Sequence, residues 1–250
     1  MTMSYRIFLA GAAGVIGNRM IPILRDAGHT VVGTTRSAAK AETLRSLGIE
    51  PVLVDVFDAE RLLRAMESAR PDVVIHQLTD LPKKLDPRLM GEAIVGNARI
   101  RDEGTRNLVA AANALRVRRL VAQSLAWAYA PGPEPHAESD PLDAGAQGAR
   151  GTTVRGVIAL EDWVLKSPPL EGLVLRYGRL YGPGSHADKP SNFVPVHVDA
   201  AAYAGVLAIE RGQPGPYNIA EPNVHVATDK ARTELGWNPD FRISEELAGE

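Results

Sequence analysis

Three glycines, Gly11, Gly14 and Gly17, follow the apolar run Ile7-Phe8-Leu9-Ala10 at a spacing of three and open a segment of helical period. A strand that bends into a helix on so bare a backbone can bring main-chain amides against a diphosphate. Gly11 and Gly14 permit the sharp turn and the close approach, and Gly17 lets the helix pack against its strand. Alone, the pattern also describes a glycine-rich structural turn without a ligand, so its surroundings decide.

The surroundings repeat the same unit. Short, mostly apolar runs at residues 5–10, 30–34, 50–54, 72–76, 119–123 and 172–177 alternate with helical segments at 15–27, 38–47, 59–69, 88–115 and 152–166. Runs without clean apolar/polar alternation are strands buried on both faces, and five such crossovers predict an α/β fold with a doubly wound parallel sheet. In that context the glycine turn reads as a dinucleotide site. The long helical segment 88–115 either covers the core or offers a face for a homodimer. After Tyr177 the pattern loosens into Gly- and Pro-rich stretches, and 199–211 reads as one more helix returning to the sheet. Residues 1–177, rejoined by 196–212, are therefore expected to form the dinucleotide-binding domain. Residues 178–195 and 213–250 are expected to form a small, truncated C-terminal substrate lobe.

Charge and composition exclude several partners. The formal net charge is −2 and no basic run exceeds pairs such as Lys83-Lys84 and Arg118-Arg119, so nucleic acid is not expected as a partner. No apolar stretch approaches the roughly 20 residues of a membrane span. Cysteine is absent, which removes thiolate metal sites and disulfides and fits a reducing compartment. The expectation is a cytoplasmic protein with a small-molecule substrate and no metal.

The second strand ends Thr34-Thr35-Arg36-Ser37, where an NAD-binding chain usually carries a carboxylate for the ribose hydroxyls. A guanidinium there can fork onto a 2′-phosphate, so Arg36, aided by Thr35 and Ser37, points to NADP(H) in preference to NAD(H). Asp55, after the third strand, either meets the adenine amino group or caps its own turn.

These residues, together with five motifs in order, resemble the extended short-chain dehydrogenase/reductase family, also called the NAD-dependent epimerase/dehydratase family. The motifs are Val74-Ile75-His76-Gln77-Leu78-Thr79, Glu103-Gly104-Thr105-Arg106-Asn107-Leu108, Leu175-Arg176 with Tyr181-Gly182-Pro183-Gly184, His197-Val198-Asp199-Ala200, and Tyr217-Asn218-Ile219 with Leu235-Gly236-Trp237-Asn238-Pro239. The resemblance implies a Rossmann fold. It places Gly11, Gly14, Val15, Ile16 and Gly17 at the pyrophosphate, Arg36 at the adenosine ribose, Asp55 and Val56 at adenine, and Leu78 and Thr79 near the ribose and nicotinamide.

The chain departs from the family where the chemistry is done. Family members carry a Tyr followed four residues later by a Lys, whose ammonium lowers the phenol pKa so that a proton can move as hydride moves. No Tyr here has a Lys at that distance, and aligning the helix on Glu161 puts Thr153 and Val157 in those places. Ser124 lies one residue from the family's usual serine position, and Arg101 stands where an Asn is common. Ser124 and Tyr129 are the candidate substitute proton donors, with His136 behind them. Arg155 or Lys166 could stand in for the missing charge, though neither has the right spacing. Only 12 residues separate Gly184 from His197, too few to hold a bulky nucleotide sugar. The expected activity is an NADP-dependent oxidoreductase acting on a small carbonyl or alcohol. The alternatives are a non-catalytic NADP(H)-binding sensor or partner and, less favoured, a sugar-nucleotide epimerase or dehydratase.

Overall fold

The computed structural model describes residues 3–82, 86–244 and 247. The Lys83-Lys84 pair and the far end of the expected lobe lie outside them.

Six expected strands form, as β1 (Arg6–Ala10), β2 (Thr30–Thr35), β3 (Glu50–Leu53), β4 (Val73–His76), β5 (Arg119–Leu125) and β6 (Glu171–Tyr177). They are crossed by α1 (Val15–Asp26), α2 (Ala38–Ser46), α3 (Ala59–Ala69), α4 (Met90–Arg99), α5 (Thr105–Ala114) and α6 (Gly148–Leu165). Two short strands, β7 (Arg179–Tyr181) and β8 (Pro195–His197), pair with each other, and α7 (Val198–Leu207) leads to a last strand, β9 (Gly215–Ile219). The main sheet runs β3-β2-β1-β4-β5-β6-β9 with every pairing parallel. This is the doubly wound order, with a reversal between β1 and β4 that opens a crevice at the strand C-termini.

Both faces are covered. Ile7 and Leu9 of β1 join one core with Met20 and Leu24 of α1 and Ala201 and Ala204 of α7. Phe8 and Ala10 of the same strand join the other, with Leu62 and Met66 of α3, Leu108 of α5 and Leu160 of α6. Alternate residues facing opposite cores explain why the strands read as unbroken apolar runs.

Two features differ from the sequence reading. The segment Gly215–Ile219, placed in the outer lobe by sequence, is the seventh strand of the main sheet. It opens Gly-Pro and lies at an edge, the one place where a proline leaves a ladder intact, so its composition hid it. The helical stretch 88–115 is interrupted by a π-turn over Ile100–Gly104, with helical backbone throughout. The extra residue in such a turn re-aims side chains, and these turns concentrate at functional sites.

Candidate active site

The glycine turn is built as its sequence requires. Gly11 has φ +92°, and a Cβ there would lie 2.6 Å from the Gln77 carbonyl oxygen. The Gly14 amide donates to the Gly11 carbonyl at 2.9 Å. A Cβ at Gly17 would lie 2.3 Å from that same oxygen, so the helix is seated on the turn itself. Gly14 caps α1 without a side-chain hydrogen bond, leaving the first amides of the helix to a ligand. Ile16 buries its side chain in the core.

From this turn a cleft of about 290 Å³ runs along the strand ends, walled by Gly11, Gly14, Arg36, Asp55, Val56, Leu78 and Thr79 among others. Val15, Ile16 and Gly17 are not on its wall. Thr34 Oγ1 accepts from the Gly11 amide at 3.3 Å, which ties the β2 end to the turn. Ser37 caps α2 by accepting from Lys40 N, and Lys40 lines the cleft beside Arg36. Sequence reasoning missed Lys40, although its position four residues after Arg36 was the available signal. Arg36 faces Asp80 at 3.5 Å, with both groups exposed. Asp55 Oδ1 accepts from Phe57 N at 3.0 Å, so the carboxylate caps its own turn while the residue lines the cleft.

Beneath the cleft His76 is fully buried. Its Nδ1 accepts from Leu78 N at 3.2 Å, which leaves the proton on Nε2, 3.0 Å from Thr105 Oγ1. Thr105 in turn donates to the Ile100 carbonyl inside the π-turn. Burial, and then the charge of Arg101, push the His76 pKa down to about 4, so it holds the Leu78–Thr79 segment as a neutral ring. Burial lowers Arg101 itself to about 10, and its guanidinium has no hydrogen-bond or ion-pair partner among the described residues.

The expected proton donors are placed differently. Ser124 donates to Glu161 Oε1 at 2.7 Å, and Glu161 forms a buried two-pronged pair with Arg176, Nε to Oε1 at 2.9 Å and Nη2 to Oε2 at 2.7 Å. Arg176 Nη1 donates to Tyr129 Oη at 2.8 Å, and Tyr129 donates to Asn218 Oδ1 at 2.7 Å. Burial would lower Arg176, but Glu161 holds it above its ordinary value, and burial raises Tyr129. His136 stacks on Tyr129 with ring centres 4.9 Å apart and bonds Asp140. Ser124 and Tyr129 thus belong to one buried network that fastens β5, β6, α6 and β9 together, and neither lines the cofactor cleft. On α6, Val157 is buried and Thr153 half-buried. Arg155 points to Thr152, and Lys166 pairs with Asp162 on the surface.

A reversing parallel sheet, a side-chain-free turn at a helix start and a cleft along the strand ends define a Rossmann-type dinucleotide-binding protein. The model of the family described as "NAD dependent epimerase/dehydratase family" matches residues 7–215. The chain belongs to that family, whose name states the nicotinamide cofactor that the cleft fits. A 3-diazoavenalumate denitrifying reductase from a Streptomyces species is 40% identical over 258 residues, covering 94% of this chain and 80% of the relative. Among solved structures, the Bordetella bronchiseptica enzyme WbmG in complex with NAD and UDP aligns with a TM-score of 0.73 at 20% identity, over 99% of this chain and 93% of that one. The UDP-glucose 4-epimerase of Thermotoga maritima aligns with a TM-score of 0.74 at 19% identity, over 96% of each chain. Likeness at that identity bears on the fold. No helix among the described residues is long and apolar enough to cross a membrane.

Proposed function

We propose that the chain is an NADP(H)-dependent reductase that delivers hydride to a small aromatic acceptor whose reduction takes no proton from the protein, an aryl diazonium acid. The observation that carries this reading is the open cleft at the glycine turn, taken together with an α6 that bears Thr153 and Val157 where the family resemblance places Tyr and Lys. When bound, a reduced nicotinamide supplies a hydride, and hydride plus an aryl diazonium balances to the arene and dinitrogen, whereas a carbonyl needs one further proton. The hydroxyls of Ser124 and Tyr129, the donors expected to serve a carbonyl substrate, are engaged in the buried network. The Streptomyces relative, named as a denitrifying reductase of a diazo acid, supports the same acceptor class.

Arg36 and Lys40, with Ser37 between them, are suited to a 2′-phosphate and favour NADP(H). Gly11 and Gly14 admit the diphosphate, and His76 keeps the Leu78–Thr79 backbone in place beneath the ribose. Residues 178–195 and the turns around β9 form the substrate side in this reading, with Ser124, Glu161, Arg176 and Tyr129 as its frame. The test is a turnover assay with an aryl diazonium carboxylate and NADPH. The expected result is stoichiometric dinitrogen and arene, with deuterium from 4-deuterated NADPH leaving the cofactor. Absence of dinitrogen and of NADPH oxidation, while NADPH binds, overturns it.

A further inference from the structure

β5 and β6 run parallel with Leu125 beside Tyr177, and the Ala126 amide donates to the Tyr177 carbonyl at 2.9 Å. The residues two beyond each pair member, Trp127 and Arg179, therefore emerge side by side on the C-terminal edge of the sheet. The Arg179 guanidinium carbon lies 5.9 Å from the centre of a Trp127 ring and 5.6 Å from that of Phe193. Arg179 is exposed, and its side chain has no hydrogen-bond or ion-pair partner among the described residues. Phe193 is 38% exposed, unusual for so large an apolar side chain.

The backbone is strained to make this arrangement. Val194, next to Phe193, has φ +47°, a left-handed conformation that a β-branched residue resists. Its carbonyl accepts from the Arg179 amide at 2.7 Å. A Cβ at Gly178 would come within 2.3 Å of that oxygen, so only glycine lets the two segments meet. On its other side Phe193 meets the His225 ring at 4.7 Å, and His225 holds the nearby carboxylate of Glu134 at 2.8 Å. The acidic neighbour is thus engaged with His225 and leaves Arg179 free.

A guanidinium flanked by aromatic rings is partly stripped of water while its forked N–H edge stays open. That edge fits a carboxylate, and the ring faces fit a flat aromatic body. The cofactor cleft spans the ends of β2, β1 and β4, and the next strands in order are β5 and β6. From β4 to β6 is two strand spacings, about 10 Å, so an acid whose carboxylate sits at Arg179 extends its far end toward β4.

We propose that Arg179, with Trp127 and Phe193, forms the recognition site for the carboxylate of an aromatic acid substrate and sets its reacting end toward β4. The proposal rests on the reductase reading above and gives it a substrate determinant. It is tested by calorimetry on the full chain loaded with NADP⁺, using cinnamate and its uncharged amide, cinnamamide, as probes. The wild type is expected to bind cinnamate at least about tenfold more tightly than cinnamamide, the range of a charge-assisted contact. Arg179→Met is expected to erase that preference while leaving NADP⁺ affinity unchanged, and Arg179→Lys to restore part of it. Equal binding of the two probes to wild type, binding of neither, or cinnamate affinity unaltered by Arg179→Met each overturns the proposal. Because these probes do not react, Arg179-dependent binding without diazonium turnover sinks only the reductase reading. Turnover with a KM unmoved in Arg179→Met sinks only the carboxylate site.

Discussion

The cofactor cleft and the β5–α6 frame lie on one sheet edge and are built on opposite principles. At the cleft, polar capacity is left open: α1 starts without a side-chain cap, and Arg36 has only one long, exposed contact. In the frame every polar group found is consumed, since Ser124, Glu161, Arg176, Tyr129 and Asn218 satisfy one another out of reach of water. A site that binds leaves partners unmade, and a strut closes them. Residues that look catalytic by type and strand position can belong to the strut.

That contrast can be broken, and the largest effect is expected in the frame. Glu161→Ala leaves a buried guanidinium unpaired and is expected to destabilise the fold by about 3–5 kcal/mol in urea unfolding, with dinucleotide affinity within about twofold of wild type. A large loss of affinity at equal stability would show that the frame is part of the binding site.

His76 comes next. Its folded-state pKa of about 4 lies below its ordinary value, so the fold favours the neutral ring. Its contribution is complete above about pH 6.5 and is lost as pH falls toward 4, a change of about 3 kcal/mol. His76→Gln should flatten that part of the stability profile measured between pH 7 and 4.5, and an unchanged slope refutes the assignment.

Gly11→Ala places a methyl group against the Gln77 carbonyl at a positive φ. It should weaken dinucleotide binding by about 10- to 100-fold in calorimetry, corresponding to strain of about 1–3 kcal/mol. Wild-type affinity in that variant would mean that the turn does not carry the diphosphate. The smallest effect is expected for Arg36→Ala, a loss of about tenfold for NADP⁺ and little for NAD⁺. Equal losses for the two cofactors would remove the 2′-phosphate role.

Much of the fold was legible because its signals are local. Six strands could be read from apolar runs, and the turn from glycines, at two of which, Gly11 and Gly17, a Cβ would run into backbone oxygens. β9 was not, because its strand character comes from pairing with β6 and its Gly-Pro start argues against a strand. The π-turn at Ile100–Gly104 was hidden inside a helical period that it shifts by a single residue. At the site, Arg36 and Asp55 could be picked out because each follows a strand end, and Leu78 and Thr79 through the family resemblance of the segment that carries them. Lys40 was missed although its signal was local, four residues after Arg36, whereas Arg179 could not be picked out, since its setting depends on segments distant in sequence.

The chain by itself determined the alternation of strand and helix, the bare turn and the absence of any Tyr with a Lys four residues on, because backbone sterics and residue chemistry act over a few neighbours. Only the tertiary structure decided which hydroxyls are engaged and which cations are free. Ser124 meets Glu161 across 37 residues, while Arg179 meets Trp127 and Phe193 from two other segments. Desolvation and pairing are properties of the packed assembly, and no stretch of sequence contains them.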